Sequence, residues 1–430
     1  MGKTITEKIL AKAAQRSEVV PGEYLEITSS RPVTLHASMT RGPGQLKAMG
    51  VTKVFDPTKI KVVDGHNGAT ASHSAAKNRK AVIEWAESVG VPRDNIWEIG
   101  RSGIEHLIAG ENCWPLPGEV YFQVVNGHTS TLGALGAFAV TLSYGSGAYL
   151  MKGKTWVKVP ESVLFVVEGT LPEGVYARDV FEYILGAVGP SACVGMVMEW
   201  AGKSIDDMDM DGRFSLCCNA LFTGAWTAIM NPDQTSLSYV RSRTAESFDP
   251  LSSDQDAHYA KRYVFDVSNI VPQIVPPPER YHVKPVTAFE GTLINRGFIG
   301  SCADSRIEDL RVAAEVLRGR KLHPRAVLNV TPGTPSIYRQ AMHEGLIDIF
   351  MDAGCLVASP ACGMCWGANT PLADGDTCLS TGTCNYPGRM GSKKADIYLG
   401  SPATVAAGCV EGKIVDPRNY LQPAYRAASR

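Results

Sequence analysis

Three cysteines in this chain have the type and spacing to hold a metal. Cys362 and Cys365 form a C-x-x-C pair within Pro360-Ala361-Cys362-Gly363-Met364-Cys365-Trp366-Gly367, and Cys302 stands well upstream in Gly300-Ser301-Cys302-Ala303-Asp304-Ser305-Arg306. Small residues on both sides let the backbone come close to something bulky. Structural zinc normally takes four protein ligands, whereas a cubane iron–sulfur cluster held by three thiolates keeps one iron open for water or substrate. Spacing alone leaves four readings open: the cluster, zinc, a redox-active C-x-x-C, and buried cysteines with no ligand role.

The elements around these cysteines would present them well. Cys302 follows an apolar stretch at 297–300 and precedes 306–319, where Leu310, Ala313, Ala314 and Leu317 have helical spacing. That places it at a strand-to-helix turn, where backbone N–H groups point outward. Cys362 and Cys365 follow the run 355–359 in a comparable position, so N–H groups at both turns could hydrogen-bond the sulfides of an anionic cluster. The same local order, an apolar run, a small-residue turn and then a helical period, recurs at 61–64 with 74–89, 120–125 with 131–140, and 325–330 with 335–353. It predicts an α/β chain of parallel sheets covered by helices.

A length of 430 residues suggests about three domains. The proline-rich stretch 271–278 cannot sustain a helix or a central strand and marks a boundary. The expected layout is two interleaved α/β domains over 1–270, a linker over 271–283, a third α/β domain with the cysteines over 284–418, and a tail over 419–430. Residues 208–213 read as a turn before a helix, and 242–256 as an exposed polar excursion. Eleven cysteines without a charged and then apolar leader predict a cytoplasmic, reducing setting with few disulfides. With 42 basic and 43 acidic side chains, net charge −1, there is no electrostatic case for nucleic acid or a membrane surface. No apolar run reaches the roughly 18 residues of a membrane span.

Further motifs accompany the cysteines: Phe298-Ile299-Gly300-Ser301-Cys302 with Arg306-Ile307-Glu308-Asp309-Leu310-Arg311, His128-Thr129 before Gly133-Ala134-Leu135-Gly136-Ala137-Phe138-Ala139, Gly153-Lys154-Thr155-Trp156, Gly388-Arg389-Met390-Gly391, Ser401-Pro402-Ala403-Thr404 and Gly412-Lys413-Ile414-Val415-Asp416-Pro417-Arg418. Over almost its whole length the chain resembles the aconitase superfamily, in particular the large subunits of isopropylmalate isomerases and homoaconitases. The resemblance implies three α/β/α domains of the aconitase type with a cluster in the cleft between them. It implies a [4Fe–4S] cluster on Cys302, Cys362 and Cys365, whose fourth iron acts as a Lewis acid on the hydroxyl and a carboxylate of a hydroxy acid while a base removes the neighbouring proton. Water leaves and can return at the other carbon. In the family that base is a serine on a swivelling domain, which this chain is expected to lack, so a small subunit is the implied partner and the active site would form between the two chains.

By the same resemblance His106 and His128 are catalytic, Asp64 is a partner carboxylate, and Arg389, Asn126 and Thr129 contact the substrate. His106 and His128 are also readable as core histidines, Asp64 as a turn former, and Arg389 as the partner of a structural carboxylate. The chain departs from the family where substrate is touched. Asp-Ser-His-Thr becomes Asn126-Gly127-His128-Thr129, an Asp-His pair becomes Asp64-Gly65-His66, and Cys-His-Gln becomes Glu105-His106-Leu107. Phe222 replaces a glutamate, Cys218 an asparagine and Cys384 an arginine. A thiol cannot make the bidentate bonds of a carboxylate-clamping arginine, so the expected pocket is less charged and its substrate smaller or less carboxylated. The leading expectation is a hydro-lyase or isomerase on an altered hydroxy acid, beside conventional isopropylmalate isomerase. The alternative is a degenerate homologue, or one whose cluster is saturated by Cys218 or Cys384, that serves redox or iron sensing or binding.

Overall fold

The apolar run Val33–His36 becomes the centre of a five-stranded parallel sheet. In this computed structural model, which describes residues 2–37, 41–68 and 73–421, the strand order is Ile96–Trp97, Ile60–Val63, Val33–His36, Val120–Gln123, Phe138–Thr141. All four residues of Val33–His36 are buried, as a parallel strand covered on both faces requires. A second sheet in the same unit aligns Thr227–Met230, Val197–Ala201 and Ser162–Glu168 in parallel, with Lys261–Asp266 at its edge. The antiparallel ribbon Tyr24–Thr28 with Lys154–Lys158 completes it. This first unit comprises Met1–His66, Ser72–Glu168 and Pro190–Phe265.

The second unit, Asn67–Ala71, Gly169–Gly189 and Asp266–Arg430, has one five-stranded parallel sheet. Its order is Leu356–Val357, Val327–Val330, Arg296–Ile299, Thr377–Ser380, Asp396–Leu399. The helices Ile307–Leu317, Pro335–His343, Leu346–Ala353 and Pro402–Glu411 follow the strands, and Ala177–Val188 joins from earlier in the chain. Arg306 caps Ile307–Leu317, and its guanidinium donates to the carbonyls of Cys302 and Ala303, so the turn carrying Cys302 is tied to the helix that follows it. In the proline-rich stretch, Gln273–Ile274 pairs with Lys284–Pro285, and Val275 bridges to Leu399.

Two local expectations are corrected. The helical period over 131–140 is a 3₁₀ segment, Gly127–Leu135, followed by the strand Phe138–Thr141. Gly136 ends that segment in the left-handed conformation, and a Cβ on Gly133 would lie 1.8 Å from the Ala228 carbonyl oxygen, so backbone contact rather than helical packing sets the path. The helix expected over 335–353 is two helices, broken at Gly345, which is also left-handed. The stretch 208–213, expected as a turn before a helix, is a turn only at Met208 and Asp209; the helix Met210–Asn219 starts inside it, with Asp209 as its cap.

Candidate metal centre and histidine array

In the second unit Cys302 sits on the turn between Arg296–Ile299 and Ile307–Leu317, and Cys362 and Cys365 sit on a 3₁₀ turn after Leu356–Val357. Both turns lie at the carboxyl ends of parallel strands, where open α/β sheets present ligand sites. All three cysteines are buried, and the Cys302 and Cys362 sulfurs lie within 4.8 Å of each other. Hydrogen bonds join the Cys362 thiol to both Cys302 and Cys365 and push it well above the ordinary thiol range. The same bond from Cys362, ahead of the charge of Arg389 and the N–H of Thr383, holds Cys365 well below that range.

Cys365 is surrounded by donors. Arg389 donates Nε to the Cys365 carbonyl at 2.7 Å and Nη2 to its sulfur at 3.5 Å, and Thr383 Oγ1 lies 3.5 Å from the same sulfur. A Cβ on Gly382 would sit 3.8 Å from it. Three convergent buried sulfurs, one of them facing the Arg389 guanidinium and the Thr383 hydroxyl, fit a thiolate-held metal cluster. Arg389 also donates to Tyr386 Oη at 3.3 Å. Cys384 lies beside Thr383, its sulfur 3.8 Å from Oγ1 and its thiol pushed up by burial.

The first unit gathers histidines at the ends of its parallel strands. Ring centroids are 4.5 Å apart for His36 and His66, 5.5 Å for His66 and His106, and 6.2 Å for His106 and His128. His66, His106 and His128 are each oriented by a specific partner. The Glu105 N–H donates to His66 Nδ1 at 3.3 Å, which leaves the proton of a neutral ring on Nε2. His128 Nδ1 lies 2.9 Å from the Cys218 carbonyl, a pure acceptor, and so carries the proton, with Cys218 Sγ at 3.4 Å. His106 Nδ1 faces Gln123 Oε1 at 2.7 Å, which likewise places its lone pair on Nε2. The array thus presents one N–H donor and two lone pairs. Burial pushes His36 down to about 4, so it is neutral at ordinary pH.

The other expected residues are placed less simply. Asp64 is buried with Arg79 at 3.5 Å, and desolvation outweighs that charge to raise it to about 6. Asn126 adopts a positive φ of 92° and accepts from the His128 N–H at 3.1 Å, so it shapes the turn that aims His128. The Thr129 hydroxyl is buried against Gln123 Oε1 at 2.8 Å and the Asn126 carbonyl at 2.7 Å. Phe222 packs edge-on to His128 with centroids 6.0 Å apart.

His66 entered the array through Gly65. A Cβ at that position would meet the Ser102 backbone at 2.4 Å, so only glycine allows the turn that follows Asp64. Two groups lacked a local signal. Glu105 is fully buried, and Arg178 reaches Asp304 across 126 residues of sequence.

A match to the aconitase family (aconitate hydratase) spans residues 48–412. The 3-isopropylmalate dehydratase large subunit 1 of Methanopyrus kandleri is 38% identical over 98% of this chain and 100% of its own length. The 3-isopropylmalate dehydratase large subunit of Desulfitobacterium hafniense is 39% identical over the same shares. Among solved structures, that of Thermococcus kodakaraensis aconitase X in its holo-form aligns with 94% of this chain and 90% of its own at 13% identity, with a TM-score of 0.47.

Proposed function

This chain belongs to the aconitase family, and from that premise we propose that it is the large subunit of an iron–sulfur hydro-lyase of the 3-isopropylmalate dehydratase type, with a [4Fe–4S] cluster on Cys302, Cys362 and Cys365. The observation that carries the cluster is the convergence of the three buried sulfurs on turns at the ends of parallel strands. A cluster held by three thiolates keeps one iron open, and when bound it supplies a Lewis acid for a substrate hydroxyl.

The chain's own residues then have defined work. Arg389 holds both the carbonyl and the sulfur of Cys365. The Nε2–H of His66 is the donor suited to a departing hydroxyl, while the Nε2 lone pairs of His106 and His128 are suited to accept a proton or a hydroxyl hydrogen bond. Asn126 and Gln123 keep His128 and His106 in those orientations. Asp64, raised to about 6 by burial, pairs with Arg79 and is protonated when pH falls below that value. A small-subunit partner, which the large-subunit naming of the relatives implies, supplies the base that removes the carbon-bound proton.

Phe222 against His128, and Cys384 near Arg389, reduce the charge available for substrate carboxylates. A hydroxy acid smaller or less carboxylated than isopropylmalate is the substrate we infer. The test is dehydration by the reconstituted two-subunit protein, followed as enoate absorbance. A higher kcat/KM for a hydroxy monocarboxylic acid supports the inference, and a clear preference for isopropylmalate removes it.

A further inference from the structure

A buried ion network in the second unit ends on the backbone that touches Cys365. Arg178, in the helix Ala177–Val188, is 1% exposed and ion-paired to Asp304, two residues beyond Cys302. Its Nη1 also donates to the Thr381 carbonyl at 2.8 Å and its Nη2 to the Gly382 carbonyl at 2.7 Å. Glu182, one helical turn on, pairs with both Arg178 and Arg280. Arg280 donates Nε to the Thr383 carbonyl at 3.0 Å. Two guanidiniums thereby hold three successive carbonyls.

The middle peptide links charge to sulfur. Its carbonyl, on Gly382, accepts from Arg178, and on its other side Thr383 brings its Oγ1 within 3.5 Å of the Cys365 sulfur. In a trans peptide the carbonyl and the N–H point in opposite directions, so the guanidinium on the Gly382 carbonyl strengthens a dipole whose positive end lies on the Thr383 side, next to the sulfur. The Cys302 turn is laced to the same segment. Ser301 Oγ donates to the Thr381 carbonyl at 2.9 Å, and the Gly300 N–H donates to Thr381 Oγ1 at 2.9 Å.

We propose that Arg178 is a positioning residue that acts on Cys365 through the Gly382–Thr383 peptide, and that its balance with Asp304 sets how much negative charge the cluster can hold. The proposal rests on the cluster reading above. Hydrogen bonds and positive charge directed at ligand sulfurs favour the reduced, more anionic state of an iron–sulfur cluster. Removing the Arg178 charge therefore disfavours reduction, and removing the Asp304 charge favours it. A role confined to holding the fold together would not give opposite signs.

The experiment is a redox titration, by EPR, of the full-length chain reconstituted anaerobically with ferrous iron and sulfide, as wild type, Arg178→Gln and Asp304→Asn. Cluster content should stay near the wild-type level in variants that fold. The reduction equilibrium should fall about tenfold in Arg178→Gln, which for one electron is a midpoint about 59 mV more negative. It should rise in Asp304→Asn. If Arg178→Gln does not fold, the rise in Asp304→Asn alone decides. Intact clusters with unmoved midpoints, or midpoints moving in the same direction, overturn the proposal. A wild-type chain that takes up no iron and sulfide instead removes the cluster reading on which it rests.

Discussion

Glu105 carries a carboxyl that burial pushes from an ordinary 4.5 up to about 8, although the Thr34 hydroxyl beside it opposes the shift. The folded chain thus keeps a proton there that the unfolded chain loses. Between about pH 4.5 and 8 the native state binds more protons at this site, so its contribution to stability is complete below 4.5 and is lost as pH rises through 8. The slope while the two states differ by one proton is about 1.4 kcal/mol per pH unit. Glu105→Gln, a neutral mimic of the protonated acid, should remove that slope. Urea denaturation of both proteins from pH 5 to 9 measures it, and parallel stability curves would mean that Glu105 is ionised in the native state. Cys365→Ser belongs to the same scale: replacing one of the three sulfurs should abolish cluster uptake, read as iron and sulfide per chain. At this scale His106 and His128 were legible because they stand in motifs. His66 was legible only as a doubtful partner, since a sequence does not show which way a ring turns after an inserted glycine.

The turns are where element and residue meet. Gly65 lets the chain double back past Ser102 after Val63, and Gly133 lets the 3₁₀ segment pass within backbone contact of Ala228. Gly133→Ala should destabilise the protein by about 2–3 kcal/mol, because the obstruction is a carbonyl in a sheet and cannot move aside as a side-chain tip can. Gly65→Ala should cost less in overall stability yet displace His66, which ring-proton NMR shifts of the histidines would reveal. A Gly65→Ala protein with unchanged histidine shifts would show that the turn tolerates a side chain. Strands such as Ile60–Val63 and Val327–Val330 and helices such as His73–Ser88 were readable from apolar runs followed by helical periods. The 3₁₀ path of Gly127–Leu135 was not, because its residues also suit a helix and the deciding contact lies across the sheet at Ala228.

At the scale of the whole molecule, each unit places chemistry-bearing side chains at the carboxyl ends of parallel strands: histidines in one and sulfurs in the other. The grouping of the sulfurs was readable because the three cysteines lie in two short motifs. The network behind it was not, because Arg178 belongs by sequence to the middle of the chain and by packing to the unit of the C-terminal half. Among the described residues no helix is long and apolar enough to cross a membrane. The measurement to make is anaerobic iron and sulfide quantitation with EPR on the reconstituted chain, wild type beside Cys365→Ser, before and after adding a hydroxy acid in the presence of the small subunit. Four irons per wild-type chain, a signal that changes with the hydroxy acid, and loss of both in the variant are the expected results. A wild-type chain without a cluster, a signal indifferent to every hydroxy acid, or a Cys365→Ser protein with full iron and sulfide would contradict an open cluster on Cys302, Cys362 and Cys365.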